Sequence, residues 1–249
     1  MEPEDIEDFV KELLKDYPIN VKVEILETYE IDELDRSQRQ LYGPPVGPRM
    51  IADSNLKNPR IFIEKLALAF YPAEEFKAKI AHETFHIAAK YLGYRSVLER
   101  VYLEYTRMFP INFLIRLLTH TFNNLWESCT DQEVITHSLG KELYKLRKHQ
   151  SNYRLKVPNI YKPRDDDEMF LVMSQDWHVS ISFHLAGLKE EAKDLDNLLI
   201  ECKRKQGIRD ELLREYNRFI ACMSIKNPPT EQKVRNSFNQ ILDLYVKIG

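Results

Sequence analysis

Glycine is scarce in this sequence, with 7 residues among 249. This scarcity disfavours glycine-rich phosphate-binding loops and all-β folds that rely on tight hairpin turns. Cysteine is also rare, and the three residues Cys129, Cys202 and Cys222 are odd in number and widely spaced. They exclude a disulfide framework and a cysteine-rich zinc module, and they suit a reducing compartment. The sequence therefore predicts a cytoplasmic location.

Long apolar runs and a large charge of one sign are also missing. The most apolar window, residues 109–118, contains polar residues and is far shorter than the roughly 20 residues that cross a bilayer. The acidic start, residues 1–16, is unlike a secretory signal or a transit peptide. Lys+Arg total 36 against 39 Asp+Glu, and this balance is untypical of a bulk nucleic-acid or membrane binder. We therefore expect neither a membrane nor a nucleic acid as partner.

What the sequence does contain is typical of a globular protein with a substantial core, with 43% hydrophobic and 30% charged residues. Two short segments have the pattern of strands: an apolar–charged alternation at 21–25 and an apolar run at 60–64. Nearly everything after residue 72 has helical periodicity. The predicted fold class is therefore α+β but mainly α, with a small N-terminal β-sheet followed by a helical bundle.

Proline and glycine predict where the main helices begin and end. Pro72 suits the first position of a helix that stops at Gly93. A longer helical pattern covers residues 111–148. We expect it to break once, near Asn123 and Asn124, because asparagine is a poor helix former.

Composition also suggests how the chain is divided. Residues 31–60 contain glycine–proline pairs and are predicted to be irregular, whereas residues 170–188 keep a helical period throughout. Residues 151–167 read as a loop in which composition and charge change. The chain is therefore predicted to have a first domain over 1–150 and a helical region over 151–249, or else to form one continuous domain.

One motif carries chemistry: His82-Glu83-Thr84-Phe85-His86, an H-E-x-x-H sequence inside the helix that follows Pro72. With 3.6 residues per turn, His82 and His86 project from the same face and can share one divalent ion. Glu83 lies about 100° around the helix, so it can reach a water on that ion without being a ligand. We therefore predict Glu83 as a general base in a metal site of His82 and His86.

A catalytic zinc site needs a third protein ligand. Forty-one residues after the motif, Glu127 and Asp131 are four apart on the next long helix and share a face. Glu127 is the predicted third ligand, and Asp131 is predicted to accept the second N–H of a ligand histidine. His120, His137 and Glu133 are the alternatives for the third ligand.

H-E-x-x-H followed by E-x-x-x-D resembles the gluzincin branch of the zinc metallopeptidases. The resemblance implies that His82, His86 and Glu127 bind Zn²⁺, that Glu83 is the general base, and that Asp131 orients a ligand histidine. It also implies the hydrolysis of peptide bonds in a peptide or protein substrate. The matched motifs span residues 82–131, and the C-terminal hundred residues lie outside this resemblance.

The same resemblance implies a zincin-like fold, in which a small sheet packs on the active-site helix and its edge strand binds an extended substrate. The strand at 60–64 is expected to fill that role. A side chain that stabilises the developing oxyanion is also expected. His178, His184, Tyr153 and Arg154 are the candidates, and His184 is expected to be a core histidine because it shares an apolar helix face.

Two other functions are compatible with the sequence. The long unmatched C-terminal region suits a zincin-like fold that serves as a non-catalytic helical interaction module. Residues 141–164 carry eight basic residues and one acid, which suits a regulatory protease acting near nucleic acid. A solvated basic face is the simpler interpretation of that segment.

Overall fold

A computed structural model of the chain describes residues 3–35, 48–156 and 162–248. The described residues are 72% helix and 6% strand, and they include one three-stranded sheet near the N-terminus. These features confirm the predicted mainly helical α+β class. The predicted glycine- and proline-rich loop at 43–45 lies outside the described residues.

The sheet consists of β1 (Lys22–Leu26), β2 (Met50–Asp53) and β3 (Arg60–Glu64), in the order β1-β3-β2. β1 runs parallel to β3, and β2 runs antiparallel to β3 with Ile51 opposite Phe62. A central strand is covered on both faces and reads as an unbroken apolar run, which explains why β3 was recognisable in the sequence.

The expectation that the 60–64 strand is the edge strand is wrong. β3 is hydrogen-bonded to a neighbour on each side, so β2 is the edge strand next to it in the antiparallel pair. β2 lies in the stretch 31–60 that was predicted to be irregular, as does most of the helix α2 (Thr28–Asp35). Four residues are too few for a clear alternation, which is why the sequence did not reveal this strand.

Helix α1 (Pro3–Leu13) packs against β1. Apart from α2, the remaining helices follow the sheet along the chain. They are α3 (Ala67–Phe70), α4 (Ala73–Tyr91), α5 (Tyr94–Met108), α6 (Asn112–Val134), α7 (Gly140–Lys156), α8 (Asp166–Met173), α9 (His178–Leu185), α10 (Lys189–Lys205), α11 (Asp210–Leu213), α12 (Tyr216–Met223) and α13 (Glu231–Ile248).

Helix α4 is the central element of the fold. β2, α5, α6 and α7 all pack on it, which is why its residues are apolar or small on almost every side. Pro72 is the residue just before the helix, whereas it was predicted to be the first residue of the helix. Gly93 has a φ of 80° in the left-handed region that favours glycine, and it ends the helix as predicted.

The predicted helix break at Asn123 and Asn124 is wrong, because α6 continues through both residues. Asn124 is buried, and its side-chain amide donates to the backbone oxygen of His120 on the same helix at 2.8 Å and also binds a distant segment. The Nδ2 group donates to the backbone oxygen of Ser174 at 2.8 Å, and Oδ1 accepts from the backbone N–H of His178 at 2.9 Å. Tertiary hydrogen bonds therefore outweigh the low helix propensity of asparagine.

The break occurs instead at residues Ile135–Leu139, between α6 and α7. His137 has a non-helical ψ of 25°, and Ser138 adopts a left-handed φ of 66°. This turn directs α7 back across α4. Helix α4 therefore packs against both α6, which precedes the turn, and α7, which follows it. The segment at 170–188, predicted as one helix, is likewise interrupted between α8 and α9, where Asp176 has a φ of 66°.

The predicted boundary between 150 and 151 falls inside α7. Buried apolar residues from both predicted regions belong to one core, which includes Phe85 of α4 and Phe183 of α9. The two predicted regions therefore share buried core residues. The predicted loop at 151–167 begins later than expected, because α7 extends to Lys156.

Candidate metal centre

Two histidines of α4 and one glutamate of α6 bring their side chains together. The Nε2 atoms of His82 and His86 are 3.0 Å apart, and the Glu127 carboxylate lies 3.0 Å from the first and 3.5 Å from the second. One potential ligand atom from each residue lies within 4.8 Å of the other two, so the group could hold a metal ion. It is the one group of this kind among the described residues.

The second ring nitrogen of each histidine also has a partner. His82 Nδ1 lies 2.8 Å from Asp131 Oδ1, as the spacing predicted. His86 Nδ1 lies 3.0 Å from the hydroxyl of Thr130, which itself donates to the backbone oxygen of Trp126 at 3.2 Å. A proton on each Nδ1 would donate to these partners and leave each Nε2 lone pair free for a cation at the shared point.

The contact of Thr130 with His86 was not predicted, although the spacing of Thr130 along the helix is consistent with it. Thr130 precedes Asp131 on the same helix and lies three residues after Glu127, so both partners face the α4 histidines. The ring of Trp126, the residue before Glu127, packs 5.2 Å from that of His86, and Arg95 lies over Trp126 at 5.5 Å. These contacts fix the orientation of the second ligand histidine.

Asp131 is fully buried and is held by a second helix. Arg147 of α7 donates to both carboxylate oxygens, with Nη2 at 2.7 Å from Oδ1 and at 2.9 Å from Oδ2. Burial alone would raise the pKa of Asp131, but Arg147 and His82 outweigh it and lower the pKa to about 2. Asp131 is therefore ionised at neutral pH and can accept from His82 and Arg147 together.

The predicted general base, Glu83, lies beside the ligands but does not belong to the metal group. Lys79 Nζ is 2.6 Å from Glu83 Oε1, and the backbone N–H of Ala52 in β2 donates to Oε2 at 3.1 Å. Burial favours a raised pKa for Glu83, yet Lys79 and the two ligand histidines outweigh it and lower the pKa. Glu83 is thus ionised, as a base must be.

The group is closed by protein on most sides and open on one. His82 is buried, whereas 29% of the Glu127 side chain is exposed. Burial would raise the pKa of Glu127, but His86 and His82 hold it well below its usual range. Part of the Glu127 side chain beside the two imidazoles is therefore accessible to solvent.

The three alternative third ligands lie outside the metal group. His120 Nε2 is 3.2 Å from the side-chain nitrogen of Gln175. The Glu133 carboxylate accepts from Asn227 at 2.7 Å, and His137 Nδ1 donates to the backbone oxygen of Glu133 at 2.8 Å. Helical spacing alone could not decide between Glu127 and these alternatives, because the turn after α6 could not be located in the sequence.

One of the four oxyanion candidates, His178, is influenced by the charges of the centre. It is the first residue of α9, and burial together with Arg147 lowers its pKa to about 4, while Glu127 and Asp131 act in the opposite direction. Its imidazole is therefore neutral at pH 7 and can donate a hydrogen bond.

The other three oxyanion candidates have different roles. His184 is exposed and pairs with Asp196 at 2.8 Å, so the expected core histidine is wrong. Arg154 is 3.0 Å from Asp176, and Tyr153 is exposed.

The basic segment at 141–164 is much less positive in the folded chain than in the sequence. Arg147 is buried on Asp131 and cannot contribute to a surface patch. Three further basic residues are paired with acids on other elements. These pairs are Lys145–Glu74, Lys148–Asp194 and Arg154–Asp176. Four of the eight basic residues of this segment are therefore paired with acids.

Comparisons with known protein families, with curated proteins and with solved structures find no match for this chain. Among the described helices, none is both long enough and apolar enough to cross a bilayer. The function must therefore be argued from the centre itself.

Acidification should destabilise the fold through His120. Burial lowers the pKa of His120 to about 4, whereas an unfolded histidine titrates near pH 6.5. Between these values the unfolded chain binds the extra proton, so stability falls as pH falls, by at most about 3 kcal/mol. Urea unfolding at pH 7 and pH 4.5 with EDTA should show a smaller loss for His120→Gln than for the parent protein. Equal losses would contradict this account.

Proposed function

We propose that this chain is a zinc-dependent metallopeptidase of the gluzincin type, with a zincin-like arrangement of sheet and active-site helix. The observation that carries the proposal is the convergence of His82, His86 and Glu127 from two helices, with Glu83 alongside. The orientation of both histidines by Asp131 and a threonine supports it, because catalytic zinc sites orient their ligands in this way.

The donor set fits zinc. Two imidazole nitrogens and one carboxylate are a known combination for catalytic zinc, and the exposed side of Glu127 leaves room for a further ligand. When bound, zinc lowers the pKa of water and polarises a carbonyl group. Among the described residues, no further histidine and no cysteine belongs to this group.

The protein groups around the centre have the roles that peptide hydrolysis needs. The outer edge of β2 is the surface on which an extended peptide would add as a further strand. Glu83 accepts the proton of the attacking water at a carboxylate oxygen and passes it to the leaving amine nitrogen. The neutral imidazole of His178 donates a hydrogen bond toward the substrate carbonyl oxygen.

Metal binding should depend on His86 and not on a histidine elsewhere. The parent protein is expected to bind one zinc ion per chain, and His86→Ala should weaken binding by at least about a hundredfold, because one of three ligands is lost. His137→Ala is the matched control, since His137 lies outside the metal group. Competition with a chromophoric chelator measures both affinities. Equal zinc affinity in the His86→Ala and parent proteins would show that zinc does not bind at this centre.

The activity itself is tested with a fluorogenic peptide library. Cleavage by the zinc-loaded protein should stop on chelation and return when one equivalent of zinc is added. Cleavage that persists without metal would contradict the proposal. So would stoichiometric zinc binding without any cleavage, and that result would favour a non-catalytic zincin-like module. The hydrogen bonds at both oxygens of Glu83 are the observation in favour of this second candidate.

A further inference from the structure

Glu83 is held at both of its carboxylate oxygens. Lys79 lies one helical turn before it on α4, and the Nζ–Oε1 distance of 2.6 Å makes a short ion pair between two largely buried side chains. The second oxygen accepts from the Ala52 amide of β2 at 3.1 Å. A carboxylate anchored at both oxygens cannot rotate about its last bond, so the two donors together fix its orientation.

The Ala52 amide belongs to the outer edge of the sheet. Glu64 of β3 donates its backbone N–H to the oxygen of Arg49, and Ile51 lies two residues further along β2. In an antiparallel pair, alternate residues direct their backbone groups to the neighbouring strand. Residues 49 and 51 therefore face β3, and Ala52 faces outward, where its N–H meets the Glu83 carboxylate.

We propose that Lys79 is a positioning residue that holds Glu83 between the metal ligands and the outer edge of β2. The inference rests on the proposed function, because that edge is where the peptide substrate would bind. A peptide carbonyl that takes the Ala52 N–H frees Oε2 of Glu83, while Lys79 keeps Oε1 in place. Lys79 gives up no proton in this exchange: the water proton goes to Glu83 and then to the leaving amine.

The requirement for an extended peptide follows from this arrangement. A small amide without a neighbouring backbone carbonyl cannot replace Glu83 at Ala52, so it leaves the base bound to the sheet. A substrate of several residues in strand conformation supplies that carbonyl and adds to the edge of β2. The site is therefore suited to unfolded or extended segments of polypeptide.

Lys79→Met and Lys79→Arg test the positioning role by kinetics. Loss of the ammonium group should lower kcat by at least about tenfold while KM stays within about twofold, because a misplaced base slows the chemical step. Arginine keeps a charged donor in reach and should restore most of the lost rate. Lys90→Met is the matched control, since Lys90 lies on the same helix and contacts Ser54 after β2 instead of Glu83. An unchanged kcat in Lys79→Met, or an equal loss in Lys90→Met, overturns the proposal.

Hydrogen exchange of the Ala52 amide gives a readout that does not need activity. The parent protein should protect this outward-facing amide, and Glu83→Ala and Lys79→Met should speed its exchange by at least about tenfold. Lys90→Met should leave it unchanged. If the parent protein cleaves no peptide, the proposed function fails and exchange alone decides the role of Lys79. Equal exchange in the parent, Glu83→Ala and Lys79→Met proteins overturns the proposal whatever the activity.

Discussion

Replacing Glu83 with glutamine should lower kcat for peptide hydrolysis by about a thousandfold and leave zinc affinity within about threefold of the parent value. A positioned general base contributes on the order of 10² to 10⁴ in rate, and an amide cannot accept the proton. Glutamine keeps the size of the side chain and an oxygen that can accept from the Ala52 amide. The loss is therefore expected in the chemical step rather than in folding or substrate binding.

Steady-state kinetics of Glu83→Gln, with zinc content measured on the same sample, separates these effects. Glu74→Gln is the control, because it makes the same chemical change on the same helix at an exposed residue that pairs with Lys145. It should leave kcat unaltered. A Glu83→Gln protein that retains zinc and the parent kcat would remove Glu83 from the reaction. Loss of zinc in the same variant would give Glu83 the role of a ligand.

Replacing Arg147 with methionine should destabilise the protein by about 3–5 kcal/mol, because Asp131 would be left as a buried charge without its main partner. Both side chains are buried, and three contacts of 3.2 Å or less join them. The pKa of Asp131 should rise once Arg147 is removed, since burial would no longer be outweighed. A protonated Asp131 binds the His82 N–H less strongly, so zinc affinity should fall by about ten- to a hundredfold.

Urea unfolding of the metal-free protein measures the first effect, and zinc competition measures the second. Arg154→Met is the control, because Arg154 lies on the same helix and its ion pair with Asp176 is partly exposed. It should cost less than about 1 kcal/mol and leave zinc affinity unaltered. Equal costs for the two arginine variants would contradict the structural role assigned to Arg147.

Local periodicity was enough to pick out the side chains of the candidate metal group. His82, Glu83 and His86 lie on one helix, and their relative positions follow from 3.6 residues per turn without knowledge of the fold. Glu127 and Asp131 share a face for the same reason. Their convergence with the histidines required a second helix to cross the first, which the resemblance implied and which the distances now show.

The parts that the sequence did not reveal depend on contacts between distant segments. Arg147 appeared to belong to a basic surface, and only its packing against Asp131 shows otherwise. β2 is too short for a periodic signal, although it supplies the Ala52 amide that binds Glu83. Asn124 was expected to break the helix because asparagine is a poor helix former, and its hydrogen bond to Ser174, fifty positions away, was not visible in the local pattern. Such partners cannot be inferred from local pattern.

The backbone turn at Ser138 allows Arg147 of α7 to contact Asp131 of α6. If α6 continued straight, residue 147 would lie about 24 Å along the axis from Asp131, since each residue adds about 1.5 Å. The corner at Ser138 instead brings the guanidinium within 2.7 Å of the carboxylate. Under the proposed function, the affinity for a cation would depend partly on a backbone turn that includes none of the candidate ligands. A substitution that straightens this turn would act on the centre from a distance.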